Sequence, residues 1–112
     1  MWALKKSRLF KRQLMDFAKW DKDNAGQETA ERFVDAAEKA IHFVQAQPLA
    51  CRVYHEAKTH PQLQHDEFRK WSVKGFPHSL FFRLSENQEI FLEAIYVQRM
   101  HMMKRLSSDT QS

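Results

Sequence analysis

Phe68-Arg69-Lys70-Trp71-Ser72-Val73-Lys74-Gly75-Phe76-Pro77-His78-Ser79-Leu80-Phe81-Phe82-Arg83-Leu84, a polar break, then Ile90-Phe91-Leu92-Glu93-Ala94-Ile95-Tyr96-Val97-Gln98-Arg99, is the stretch that decides the fold. Three apolar runs of strand length are parted by turn chemistry. Gly75 and Pro77 punctuate the first break, and Ser85-Glu86-Asn87-Gln88-Glu89 fills the second. Such spacing predicts a β-meander with strands over about 68–74, 79–85 and 89–98. The last run is apolar on both faces, which predicts an interior strand. Arg69, Lys70, Lys74, Arg83 and Arg99 are threaded through these runs. Strand formation does not ask for so many cations, so they point to an anionic partner.

Working back toward the N-terminus, Trp2-Ala3-Leu4-Lys5-Lys6 alternates and reads as an opening strand. Ser7 is a good N-cap. Phe10, Leu14, Phe17 and Trp20 then recur at helical spacing, predicting a first helix over about 7–21. Asp23-Asn24-Ala25-Gly26 reads as its stop. Phe33, Val34, Ala37, Ala40, Ile41 and Val44 form the apolar stripe of a second helix, which Pro48 ends at or before Gln47. Leu49 to Ala57 has room for a short strand or a turn, and the segment from Thr59 to Glu67 reads as a long loop of the kind that often carries function. The order is β-α-α-β-β-β: an α+β domain with a helix hairpin on one face of a mostly antiparallel sheet of about four strands. Phe10, Leu14, Phe17, Phe33, Ala37, Ile41, Phe82, Leu92 and Ile95 are its expected core. The 112 residues fit one domain, expected over 1–106, with a polar tail at 107–112.

Composition narrows the class. Apolar residues make up 43% and charged residues 29%, which suits a folded domain. Cys51 is the single cysteine, so no disulfide forms within the chain. The first ten residues carry Lys5, Lys6 and Arg8 without an apolar segment, which predicts no secretion signal. No apolar run reaches membrane-spanning length. The cytoplasm is the expected compartment. Two glycines, Gly26 and Gly75, leave no phosphate-binding loop. His55, His60 and His65 fit no familiar zinc spacing, and neither a metal nor a cofactor is expected.

The net charge is +4 and the pI near 9.4. Residues 1–22 hold seven basic and two acidic side chains; residues 23–68 hold four and eight; residues 69–112 hold seven and four. Two cationic segments flank an acidic middle. If the chain ends meet in one sheet, their charge adds into one basic face. Lys5, Lys6, Arg8, Lys11 and Arg12 cluster around the start of the first helix, where cations oppose the macrodipole. Taken singly, each of these residues reads as ordinary solvated charge.

Element order and wording together resemble the RelE/ParE family of small bacterial toxins from toxin–antitoxin pairs, over about residues 2 to 105. Arg69 to Pro77 is similar to the family's R-x-W-x-V-x-G-F-P entry into the central hairpin. Phe82-Arg83 resembles its aromatic–Arg pair, and Ile90 to Arg99 its final strand. The family's small-residue-Arg-Asp ending appears here as Gln98-Arg99-Met100-His101, which departs from the pattern around the arginine. The wording from Trp71 to Pro77 leans toward the ParE branch. That resemblance implies a toxin that poisons DNA gyrase by protein contact and is neutralised by an acidic, partly disordered antitoxin. On this reading Arg69, Lys70, Lys74, Arg99, Lys104 and Arg105 meet the target or a nucleic acid. The alternative is a RelE-like endonuclease acting on the ribosome and its mRNA. There Arg99 and Arg83 would stabilise phosphate charge and His101 would transfer the proton. Tyr96 is a weaker candidate that reads equally as a core aromatic. A third reading is a non-toxic binding module on the same fold.

Overall fold

Residues Glu89–Val97 (β5) lie inside the sheet, as two-sided apolarity demands. Ile90, Leu92, Ala94, Ile95 and Tyr96 are all buried. The computed structural model describes residues 2–53 and 67–97. It comprises β1 (Ala3–Lys6), α1 (Arg8–Ala25), α2 (Gln27–Ala46), a 3-10 turn (Pro48–Ala50), β2 (Arg52–Val53), β3 (Phe68–Ser72), β4 (His78–Leu84) and β5. The strands form one sheet in the order β1-β5-β4-β3-β2. β1 runs parallel to β5; the other pairings are antiparallel.

The sheet therefore has five strands rather than the four expected. The extra one is β2, two residues long and paired with Arg69 and Lys70. A strand that short carries no alternation for a sequence reading to detect. Its placement rests on Arg69, whose Nη1 donates to the carbonyls of Cys51 at 2.9 Å and Leu49 at 3.3 Å.

The first helix runs four residues past its expected end, to Ala25. Asn24 turns inward on its own helix, donating from Nδ2 to the Trp20 carbonyl at 2.8 Å. Gly26 alone separates the two helices, at φ +95°, a conformation L side chains rarely adopt. One residue thus ends α1, starts α2 and makes the hairpin tight.

One apolar layer lies between the hairpin and the sheet. Phe10, Ala40, Ile41, Val44, Leu80, Phe82, Ile90, Leu92 and Ile95 share it. Leu14 and Phe17, expected in this core, are half-buried at its margin. Phe81, Ala94 and Tyr96 are buried on the opposite face, with the Phe81 and Tyr96 rings 5.6 Å apart. The β4–β5 register slips between Phe81 and Phe82: Phe81 faces Ala94 but Phe82 faces Leu92, leaving Glu93 as a bulge. The bulge falls where β1 has ended, so two groups of β5 need other partners. Ser7 Oγ donates to the Glu93 carbonyl at 2.8 Å, and Gln13 Oε1 accepts from the Ile95 N–H at 2.7 Å.

Candidate functional site

Two groups of cations stand out in the structure. Three in the sheet, Lys5, Arg69 and Arg83, are neutralised locally. Arg83 Nε donates to the Glu93 carboxylate at 2.9 Å while its guanidinium lies 4.2 Å from the Phe91 ring centre. Lys5 pairs with Glu89 at 2.7 Å and sits 5.7 Å from the same ring. Phe91 is therefore flanked by two cations, each tied to a carboxylate of β5. Arg69 pairs with Glu67 at 3.0 Å in addition to holding the two carbonyls described above. Arg83 and Arg69 thus both have structural duties. Arg99, His101, Lys104 and Arg105 lie outside the described residues.

A second group surrounds a groove of about 930 Å³ between α2 and the β2–β3 edge. Sheet topology creates it. β2 pairs only with Arg69 and Lys70, so Trp71 and Ser72 of β3 run on past the end of their neighbour. The floor is apolar: Ala36, Ala40 and Phe43 from α2, Ala50 and Trp71. The Phe43 and Trp71 rings lie parallel, 4.1 Å apart with an interplanar angle of 11°. Arg32 and Lys39 stand on the helical wall, one heptad apart and hence on one face. Lys74 and the β2–β3 partners Arg52 and Lys70 line it from the strand side. Asp35 is the one carboxylate among the lining residues. Arg32, Lys39, Arg52 and Lys74 make no ion pair among the described residues.

Lys70 and Lys74 were legible as candidates; Arg32, Lys39 and Arg52 were not. The signal for the first two was present. Arg32 and Lys39 are seven apart in a helix otherwise rich in Glu28, Glu31, Asp35 and Glu38. That is a basic stripe on an acidic helix.

His78 opens β4 at the β3–β4 turn, where its carbonyl accepts from the Val73 N–H at 2.9 Å, and it is 7% exposed. Its ring lies 4.6 Å from that of Phe17 and 4.7 Å from that of Phe33. Burial pushes its pKa below the usual value; the nearby Asp21 opposes this. His78 Nδ1 and Asp21 Oδ2 are both buried without a hydrogen-bond partner. The Cys51 thiol is buried, donates to the Gln47 carbonyl at 3.6 Å, and is pushed up to about 11 by desolvation, against the pull of Arg69. It is no nucleophile at neutral pH. His42 is exposed on α2; His55, His60 and His65 lie outside the described residues. No group of three or more metal-ligating side chains occurs among the described residues, and no described helix is long and apolar enough to cross a membrane.

No curated protein matches the chain. Among solved structures, a chain of the chromosomal ParDE TA system from P. aeruginosa superposes with a TM-score of 0.68 at 20% identity, covering 87% of this chain and 96% of that one. At that identity the likeness speaks for the fold. The profile of the ParE toxin of the type II toxin–antitoxin system, parDE, matches residues 4–102, from the first strand past the last. With β-α-α-β-β-β-β order, a helix hairpin on a single sheet and this match over most of its length, the chain belongs to the ParE toxin family of type II toxin–antitoxin systems.

Proposed function

We propose that this protein inhibits growth by binding DNA gyrase in the cytoplasm, and that a cognate antitoxin, acidic and partly disordered when free, neutralises it. Membership of the ParE family carries the reading. Of the residues the nuclease alternative would use, Arg83 alone lies among the described residues, and its position there speaks against that role. Phosphate cleavage needs a cation free to meet developing charge and a group that titrates near neutrality. Arg83 is committed to Glu93 and Phe91, and His78 is walled in by aromatic rings. Arg99 follows β5 by two residues in the sequence and remains the residue we assign to target contact.

The antitoxin has a physical rationale as well. A chain with net charge +4 attracts an acidic segment, and a segment that folds on binding is released or degraded easily when free. The test is a plasmid supercoiling assay with purified gyrase and the full chain. Inhibition with accumulation of cleaved plasmid, relieved by the product of the adjacent reading frame, is expected. Gyrase left unaffected, with codon-positioned cuts in ribosome-bound mRNA, would establish the RelE-like endonuclease instead.

A further inference from the structure

We infer that the groove between α2 and the β2–β3 edge binds single-stranded nucleic acid, with phosphates on its two cationic walls and a base against the Phe43–Trp71 pair. This goes beyond gyrase contact and needs only the isolated protein.

Three observations converge on it. Charge is the first. Lys5, Arg69 and Arg83 each have a carboxylate within 3.0 Å, whereas Arg32, Lys39, Arg52 and Lys74 have none among the described residues. Other cations, Lys11 and Arg12 among them, also lack a carboxylate among the described residues, but around this groove four such side chains converge on one cleft. Their placement is the second. Arg32 and Lys39 come from α2, and Arg52 and Lys74 from the strand side, so both elements that bound the groove bring cations to it. The third is the floor. Phe43 and Trp71 stack nearly flat at 4.1 Å and both line the groove, giving a planar aromatic surface. A strand that alternates charged phosphates with flat bases matches both walls and floor, and base stacking on aromatic side chains tolerates any sequence. An acidic peptide answers the walls but makes no use of stacked rings.

Binding is measured by fluorescence anisotropy of labelled 12-nucleotide single-stranded DNA and RNA with the full chain. Two to five neutralised phosphates predict an affinity loss of ~7–130-fold between 50 and 200 mM salt. The paired charge reversal Lys39→Glu with Lys74→Glu should weaken binding at least ~10-fold. Lys11→Glu with Arg12→Glu, on the exposed side of α1, changes net charge equally and should cost less than ~3-fold. In a Trp2→Phe, Trp20→Phe background, bound oligonucleotide should quench Trp71 emission. The inference is overturned if both reversals cost the same, if Trp71 emission does not respond, or if poly-glutamate binds and the oligonucleotides do not. Oligonucleotide binding without gyrase inhibition would support the groove and count against the gyrase reading alone.

Discussion

The Ser7 hydroxyl joins the start of α1 to the bulge of β5. It accepts from the Phe10 N–H at 2.9 Å, as an N-cap should, and donates to the Glu93 carbonyl at 2.8 Å. The Ser7 N–H donates to the Leu92 carbonyl at 3.0 Å. One residue thereby ends the parallel β1–β5 ladder, begins the helix and satisfies a carbonyl that the bulge has turned away from β4. Glu93 is occupied at both ends, since its carboxylate holds Arg83.

Ser7→Ala should therefore cost more than an ordinary cap. Loss of the N-cap alone is about 0.5–2 kcal/mol, and the stranded Glu93 carbonyl adds about 1 kcal/mol or more. Ser7→Thr keeps acceptor and donor and should recover most of the loss. Urea unfolding of the three proteins measures this; equal stability of the Ala and Thr variants would contradict the double role.

Arg69→Lys should behave almost as badly as Arg69→Ala. The guanidinium reaches two carbonyls and a carboxylate at once, a forked geometry that an ammonium cannot copy. Hydrogen bonds to a charged donor are worth about 1.5–3 kcal/mol, so a loss of about 2 kcal/mol is expected in either variant. Hydrogen exchange at Arg52 and Val53 should rise with it, because β2 has only two residues of pairing. Unchanged exchange there would remove Arg69 from its role as the anchor of β2.

Much of this architecture was legible. The meander declared itself through alternation and through Gly75 and Pro77, and Leu80, Phe82, Ile90 and Leu92 fall where period two puts them; strict alternation sets Ile95 on the face opposite Leu92, and only the bulge at Glu93 brings the two together. Other features leave no local mark. The bulge at Glu93 depends on where β1 stops, which is a fact about a strand some 86 positions away. β2 is too short for a period. The partners of Arg83 and Lys5 are on β5 and come together only in the sheet. Read alone, those cations resemble a binding surface; folded, they are paired, while Arg32 and Lys39, on a helix that reads as acidic, have no carboxylate partner among the described residues.

Stability should fall as the solution is acidified through the range where His78 titrates. Burial lowers its folded pKa below the ordinary 6.5, so the unfolded chain binds the extra proton first. The stabilising contribution is complete above pH 6.5 and is lost as pH falls through the folded value. His78→Leu removes the titration and should flatten this part of the profile. Thermal unfolding of both proteins from pH 8 to pH 5 checks it; parallel profiles would show that His78 is not responsible.

The Arg83–Glu93 pair should couple weakly. The two side chains are 36% and 20% exposed, so a double-mutant cycle with Arg83→Met and Glu93→Gln should return about 0.2–1 kcal/mol. By contrast, Leu92→Ala, in the layer beneath, should cost about 2–5 kcal/mol. A coupling as large as the core truncation would mean that the pair, and not the apolar layer, organises this end of the sheet.

Arg99 and His101 separate toxin mechanisms once the wild-type activity is in hand. The central claim is that the protein acts on gyrase without acid–base chemistry of its own. The most direct measurement is gyrase supercoiling by wild type, Arg99→Ala and His101→Gln, run beside cleavage of ribosome-bound mRNA. Wild type should inhibit gyrase and leave mRNA intact, Arg99→Ala should be impaired, and His101→Gln should inhibit as wild type does. Gyrase untouched by wild type, with mRNA cuts that drop about 10²–10⁴-fold in His101→Gln, would contradict the account and assign the chain to the nuclease branch.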